Sequence, residues 1–592
     1  MKEEVSISHS FYLLKKGIMV LLKTSPLYAS LLFFLNLFGG LIAPLNSFVY
    51  QRLLDWIMIM IDSDQWISDG VIYLVFLSLL GIASYLIDKV VDYLRQLFSD
   101  KMDITITERV LQKTILLPME TFDNAEIYND INIAASQTSS SCLSLLASIS
   151  EIIYFAVQGA SFFWIVLRFS WPIALISFLS MLPIIHISFR INEHWYKVYF
   201  KRVEKNRLMQ YLKMLMVKNS CIKEIKLYRV GSKIISFIID NFSLFLSEDK
   251  KTRKKFLCKQ TIIQAFDCAT TLGIKLWLII NAINQRCTIG TIVLYFNSHD
   301  ELKNAYQQLI REISTLHNSL QYLESLDVLE KQKNEKSEGE GNFKRDFSKI
   351  EFRNVYFKYP GCEQYVLKDI SLMLERGRTY FIVGLNGSGK TTLIKLLLRL
   401  YLPTKGEIFV DGVNIKSINL SQYYSNISAI FQDFIKYPFN VFENVAIRDA
   451  GKDPQRFSQV LKDVGMYDVV DQLQNKEDTL LLRDWSGGVD LSQGQWQKLA
   501  IARCIYGNSI ISILDEPFSS IDAESESQII SNIRTKGKGN TIIFITHRFS
   551  SITKEDQIIV LKDGSIIEKG THDELMRNKE IYSKLHDSQK LN

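Results

Sequence analysis

Apolar and polar positions divide this chain into two parts of different character. Ahead of about residue 300, apolar residues gather into runs near Tyr28–Tyr50, Ile72–Ile87, Ile152–Val166, Trp171–Ile187 and Thr261–Ile283. Each is close to the roughly 17–25 residues that carry an α-helix across a bilayer. A sixth run, Cys287–Phe296, is weaker and continues as a polar-faced helix through Tyr306 and Leu309; polar faces of spanning helices look toward a bundle interior or a water-filled cavity. Asp267 and Lys275 place ionisable groups inside the fifth run, where they either contact a substrate or hold helices together. Gln158, Asn281 and Asn284 are weaker signals of the same kind. Beyond these runs, Glu330–Lys349 is charge-dense with no apolar period and reads as a linker, and Ile350–Phe357 alternates as a strand does.

Loop charge predicts the orientation. Lys89–Lys113 and Arg190–Lys259 are crowded with cations, among them Lys201-Arg202, Lys250-Lys251 and Arg253-Lys254-Lys255, and belong in the cytoplasm. The outer links are poor in them: Asp55, Asp62, Asp64 and Asp69 stand against Arg52 in one, and Arg168 and Arg286 mark the others. Six spans in a cell membrane, with both termini and the C-terminal half cytoplasmic, satisfy the pattern. Lys89–Leu143 and Arg190–Cys258 are too long for turns and keep helical spacing, so they read as spanning helices extended into the cytosol. Their tips, Phe122-Asp123-Asn124-Ala125 and Glu224-Ile225-Lys226-Leu227-Tyr228, are either docking points for the C-terminal domain or solvated turns. The expected fold is an α-helical six-span domain over 1–325, a linker over 326–349 and an α/β phosphate-loop domain over 350–592.

Composition supports the division. Of 592 residues, 47% are hydrophobic and 12% aromatic, rich for a chain that also carries a soluble domain. The net charge of +6 is not gathered on an Arg-rich face with interleaved aromatics, which argues against nucleic acid as a partner. The seven cysteines show no C-x-x-C spacing, and the first apolar run lacks a small-residue cleavage site, so neither a cysteine metal centre nor a removed signal peptide is expected.

The chemistry lies in the second half. Gly384-Leu385-Asn386-Gly387-Ser388-Gly389-Lys390-Thr391 follows the strand-like run Tyr380–Val383 and precedes Thr392-Leu393-Ile394-Lys395, which reads as a helix. Glycines let backbone N–H groups close round a triphosphate at a helix N-terminus; Lys390 supplies a cation for the β- and γ-phosphates, and the Thr391 hydroxyl can ligate Mg2+. Further on, Ile510–Leu514 ends in Asp515-Glu516. Asp515 would organise Mg2+ and Glu516 would polarise the attacking water, unless the two acids merely cap a strand. Tyr359 is placed to stack on a nucleobase, and His547, at the end of another apolar run, either reaches the γ-phosphate or is structural.

Leu491-Ser492-Gln493-Gly494-Gln495-Trp496-Gln497-Lys498 resembles the signature sequence of ATP-binding cassette (ABC) ATPases, and Gln432, Asp515-Glu516, Ser519-Ser520-Ile521-Asp522 and His547 stand in matching order. The resemblance covers the whole C-terminal half. It implies that Tyr359 stacks on adenine, that Gly384, Asn386, Gly387, Ser388, Gly389, Lys390, Thr391 and Thr392 hold ATP, and that Thr391, Gln432 and Asp515 surround Mg2+. Glu516 would then be the catalytic base, with Gln432 and His547 as switch residues. Ser492, Gly494, Gln495 and Asp522 would complete the site of another subunit, which implies a homodimer or a paired half-transporter.

Six spans followed by a cassette resemble a half-transporter of the exporter type. Phe431–Tyr437, Phe122–Asn129 and Gly494–Lys498 are most similar to the nisin-type lantibiotic exporters of Gram-positive bacteria. That resemblance implies ATP-driven export of a modified peptide by alternating access, alongside the machinery that modifies it; a lipid or drug exporter and an ATP-driven membrane regulator without cargo are the alternatives. No Cys precedes Cys142 and only a short segment precedes the first run, so no fused cysteine-peptidase domain is expected. Two positions and one segment depart from the family pattern. Gln493 stands where Gly is usual, Ser512 interrupts the strand before Asp515, and Trp485-Ser486-Gly487-Gly488-Val489-Asp490 lacks the acidic-glycine form.

Overall fold

The computed structural model describes residues 7–590 apart from 62–67, 285–286, 336–340, 342, 449–450, 452, 538, 547, 549–551 and 554–555. Asp62, Asp64, Arg286, part of the expected linker and His547 therefore lie outside the described residues. The chain forms two compact units, Met1–Thr114 with Asn129–Lys331, and Ile115–Tyr128 with Gln332–Asn592.

The first unit is helical. A leading helix, α1 (Ile7–Thr24), is followed by α2 (Pro26–Ile61) and α3 (Ser68–Ile115); after the short α4 (Glu120–Asp123) come α5 (Ala125–Phe169), α6 (Trp171–Val217), α7 (Asn219–Leu227), α8 (Gly231–Asn284) and α9 (Ile289–Lys331). Among the described residues, five segments are long and apolar enough to cross a membrane: Pro26–Met60, Gly70–Ile115, Ser141–Phe169, Trp171–Trp195 and Gly231–Asn284. They contain the five strong apolar runs. At 48 and 54 residues, α3 and α8 measure roughly 70–80 Å at 1.5 Å per residue, more than twice the hydrocarbon thickness, so each extends well beyond it. The weak sixth run is the start of a continuous helix, α9, whose polar turn Asn297-Ser298-His299-Asp300-Glu301 keeps it below the same apolar standard. α9 also continues to Lys331, into the stretch expected as linker, and the first strand opens at Lys349.

Asp267 and Lys275 do not pair with each other. Asp267, 1% exposed, pairs with Lys303, and Lys275 with Asp300 at 2.7 Å, so both join α8 to α9. A Cβ at Gly40 of α2 would stand 2.7 Å from the Tyr154 carbonyl oxygen of α5. Small residues of this kind let spanning helices approach backbone to backbone. α1 is tied to the far end of α9: Lys16 Nζ donates to Asp327 at 2.6 Å, the Tyr12 hydroxyl to the same carboxylate at 3.3 Å, and Lys331 pairs with it at 2.6 Å.

The second unit is α/β. In order, it runs β1 (Lys349–Phe357), β2 (Leu367–Glu375), β3 (Thr379–Val383), α10 (Lys390–Leu397), β4 (Lys405–Val410), β5 (Val413–Asn414), α11 (Leu420–Ser425) and β6 (Ile427–Ile430). Four helices follow, α12 (Val441–Val445), α13 (Pro454–Asp463), α14 (Tyr467–Asp471) and α15 (Gln493–Tyr506), then β7 (Ile511–Asp515), α16 (Ala523–Lys536), β8 (Thr541–Ile545), β9 (Gln557–Lys562), β10 (Ser565–Gly570), α17 (His572–Asn578) and α18 (Ile581–Lys590). An antiparallel sheet, β2-β1-β4-β5, lies beside a six-stranded sheet, β10-β9-β3-β8-β7-β6, that is parallel from β9 to β6. Parallel strands covered on both faces read as unbroken apolar runs, as β3 and β8 do. Successive residues point to opposite faces: Phe381 and Val383 pack with α12, α13, α15 and α16, while Tyr380 and Ile382 pack with α10 and the antiparallel sheet. Ser512 does not break β7, which stays paired through that residue with β6 and β8. The first cytoplasmic tip belongs to this unit, where the Tyr401 hydroxyl donates to Asp123 of α4 at 2.8 Å. The second tip forms α7, with Leu227 and Tyr228 exposed.

Candidate nucleotide site

Four parallel strands end side by side, and the chain leaves each at the same edge of the sheet: β3 into the glycine loop, β6 toward Gln432, β7 at Asp515 and β8 toward the segment holding His547. The carboxyl edge of such a sheet is where ligands bind in open α/β folds. The glycine loop is sterically committed. Gly389, at φ +102, caps α10, and a Cβ there would come 2.7 Å from Leu367 Cδ2; a Cβ at Gly384 would come 2.3 Å from the Leu561 carbonyl oxygen.

Lys390, 6% exposed, folds back on its own loop, donating to the carbonyls of Gly384 at 2.9 Å and Leu385 at 3.0 Å. Burial pulls its ammonium below the ordinary lysine range, against the opposing pull of Glu516 and Asp515. Thr391 donates its hydroxyl to Asp515 at 3.0 Å. Burial pushes the Asp515 carboxyl up; that hydrogen bond works the other way. Ser388 Oγ is buried and without a partner. A loop with an orphaned hydroxyl, helix-end N–H groups and an ammonium spent on its own carbonyls has the donors a polyphosphate would take up. Thr391 and Asp515 form a hard oxygen pair suited to Mg2+, which keeps most of its water and needs only one or two protein oxygens.

Glu516 follows at φ +46, a region costly for a residue with a Cβ, and its N–H donates to the Ile545 carbonyl at 3.0 Å. Gln432 Nε2 donates to Glu516 Oε2 at 3.0 Å. Tyr359 meets Thr392 hydroxyl to hydroxyl at 3.1 Å, with Tyr401 edge-on at 5.3 Å and Lys395 Nζ 5.4 Å from its ring centre. The sequence thus places Tyr359, the glycine loop, Asp515, Glu516 and Gln432 in one neighbourhood.

The signature segment opens α15. Ser492 caps the helix through a reciprocal bond: its hydroxyl accepts from Gln495 N at 3.3 Å, and its own N–H donates to Gln495 Oε1 at 2.8 Å. Gln493 is the first helical residue and needs no left-handed backbone, so the side chain replacing the usual glycine is accommodated. It accepts from Lys436 Nζ at 2.9 Å. Asp522 caps α16 through Ser525 N at 2.8 Å, a bond that holds its carboxyl below the usual range.

Two braces of this region are not apparent from the motifs. Gln497 donates to Ser519 Oγ at 2.7 Å and accepts from Ser520 N at 2.8 Å, so α15 grips the loop before Asp522. Arg548 donates to the Ile521 carbonyl at 3.0 Å and to Glu526 at 2.8 Å, fastening the segment after His547 to the same loop. Both are long side chains acting across sequence gaps of about 22–27 residues, where no periodicity carries a signal.

Comparison with known proteins agrees with this geometry. A family model described as ABC transporter matches residues 367–519. The chain is 29% identical over 527 residues to the subtilin transport ATP-binding protein SpaT of Bacillus subtilis, covering 88% of this chain and 86% of that one. It is 27% identical over 583 residues to the nisin transport ATP-binding protein NisT of Lactococcus lactis subsp. lactis, covering 95% and 94%. An ATP-dependent lipid A-core flippase of Escherichia coli (strain K12) is 27% identical over 517 residues, covering 86% of each. In fold, the chain matches the structure of a bacterial Atm1-family ABC exporter with ATP bound at a TM-score of 0.77 and 19% identity, over 96% of this chain and 98% of that one. By family, this chain is a half-transporter of the ABC exporter type, a multi-pass membrane protein whose cytoplasmic cassette couples ATP hydrolysis to transport.

Proposed function

We propose that the cargo is a peptide, a modified lantibiotic precursor, and that two identical chains form the transporter with their termini in the cytoplasm. The likeness to SpaT and NisT, whose names state subtilin and nisin transport, carries the cargo reading. In this reading Tyr359 stacks on adenine, residues 384–392 cradle the phosphates with Lys390 as cation, and Thr391, Asp515 and Gln432 hold Mg2+, which would neutralise phosphate charge. Glu516 polarises the attacking water once Gln432 gives up its 3.0 Å bond to that carboxylate, and His547 orients the γ-phosphate. Ser492, Gly494, Gln495 and Asp522 act on the nucleotide held by the other chain. Closure of the paired cassettes reorients the spanning helices, and hydrolysis resets them.

Glu516→Gln is expected to lower ATP turnover and peptide secretion by about 100-fold or more, the contribution of a positioned general base, while nucleotide binding persists. Unchanged secretion would sink the role of Glu516. A second reading, lipid export, is favoured by the likeness to the lipid A-core flippase. Inverted membrane vesicles separate the two: a lantibiotic precursor should compete with peptide uptake and lipid probes should not, whereas competition by the lipid alone would make this chain a lipid exporter.

A further inference from the structure

The polar turn of α9 carries one more negative charge than the neighbouring lysines neutralise. α9 opens at Ile289, so Glu301 lies roughly 18 Å along it; in the six-span reading that depth is near the middle of a hydrocarbon layer about 30 Å thick. Here three carboxylates, Asp267, Asp300 and Glu301, share two ammonium groups, Lys303 going to Asp267 and Lys275 to Asp300. Among the described residues Glu301 has no cation at ion-pair distance; its polar contact is Gln158 of α5, whose Nε2 donates to Oε2 at 3.1 Å. Two polar atoms beside it are buried and unbonded. One is Gln158 Oε1, the other end of the same amide, and the second is Ser298 Oγ, one helical turn before Glu301 and on the same face. Gln158 is 6% exposed and Ser298 fully buried. In a low-dielectric interior, an unpaired carboxylate and unmet oxygens are costly, and they persist in membrane helices where a ligand uses them.

We propose that Glu301, Gln158 and Ser298 form an intramembrane recognition site for an ammonium group of the transported molecule. A primary ammonium has three N–H donors, which match the carboxylate, the amide oxygen and the hydroxyl oxygen in number and kind. Asp267 and Asp300 are already engaged by lysines of the same chain, which leaves Glu301 as the acid free to take an external cation. The site rests on the exporter reading; that its ligand sits on a peptide rests on the cargo proposed above.

Both are tested with the full chain in proteoliposomes, reading stimulation of ATPase activity by four probes: a synthetic amphipathic lysine peptide, the same peptide fully acetylated, decylammonium and decanol. The wild type should respond to each charged probe at about tenfold lower concentration than to its neutral counterpart. Glu301→Gln should erase that preference, Gln158→Ala should weaken it, and Glu301→Asp should retain it and show that the fold tolerates substitution. Discrimination of decylammonium but of neither peptide would uphold the ammonium site and remove the peptide cargo. Stimulation by the lysine peptide that is indifferent to Glu301→Gln would uphold the cargo and overturn the site. Equal behaviour of wild type and Glu301→Gln with every probe, including no response to any, also overturns it.

Discussion

Gly494 has no room for a methyl group, because a Cβ would stand 2.7 Å from the Ser520 carbonyl oxygen. The motif marks the glycine, but its reason is the loop from Ser519 to Asp522 lying against the first turn of α15. Gly494→Ala should push that loop away from Gln497 and cost about 1–3 kcal/mol, as overpacking does. ATPase activity should fall at least about tenfold while binding of a fluorescent ATP analogue stays within about twofold; wild-type turnover would show that the loop has slack. Residue placements were legible where a motif demands one residue type, as at Lys390, Thr391 and Glu516. They were illegible where geometry alone decides: Gln497, Arg548 and Lys436 are ordinary polar residues until the fold sets Ser520, Ile521 and Gln493 opposite them.

Among the elements, α9 shows how far hydropathy reaches. Among the described residues five helices announce themselves by apolar length, whereas α9 is visible only as a short run because residues 297–304 are polar apart from Leu302. Its charges are tolerable through α8, and no one-dimensional pattern displays Asp267 opposite Lys303. The other end of α9 holds α1 through Asp327. Burial opposes ionisation of this carboxyl, but the bonds from Lys16 and Lys331 outweigh it and depress its pKa; burial likewise pulls the Lys16 ammonium down, but its bonds to Asp327 and Glu330 outweigh that and raise it. A depressed carboxyl stabilises above its unfolded value and loses the effect as pH falls through the folded one; a raised ammonium loses it as pH climbs through its folded value. The tie should therefore hold between about pH 4 and pH 10.5, the two unperturbed values, and open on either side. Asp327→Asn should remove about 1.5–3 kcal/mol, the worth of hydrogen bonds to a charged group, and expose α1 to limited proteolysis at pH 7; equal cleavage rates in variant and wild type would count against the tie.

For the whole molecule, the proposed pairing can be read from mixed assemblies. If the Lys390 loop of one chain works with Ser492 and Gly494 of the other, a Lys390→Met chain paired with a Gly494→Ala chain keeps one intact composite site. The double variant paired with wild type keeps none. Differently tagged chains purified as mixed pairs should retain about half the wild-type ATPase activity in the first case, one site of two, and fall at least about tenfold in the second. The reverse order, with the second pairing at about half and the first at least about tenfold down, would place each catalytic site within a single chain.

The pairing of α8 with α9 also bears on synthesis. A charge at the centre of an inserting helix costs about 2.5–3.5 kcal/mol, so α9 entering lipid alone would carry Asp300, Glu301 and Lys303 uncompensated. Entering beside α8, it carries Lys303 against Asp267 and Asp300 against Lys275. In the six-span reading, α9 would commit to the bilayer only as half of a hairpin with α8. A substitution at Asp267 would then be felt first as a defect of assembly, with chains stalled during insertion, before any loss of transport could be measured.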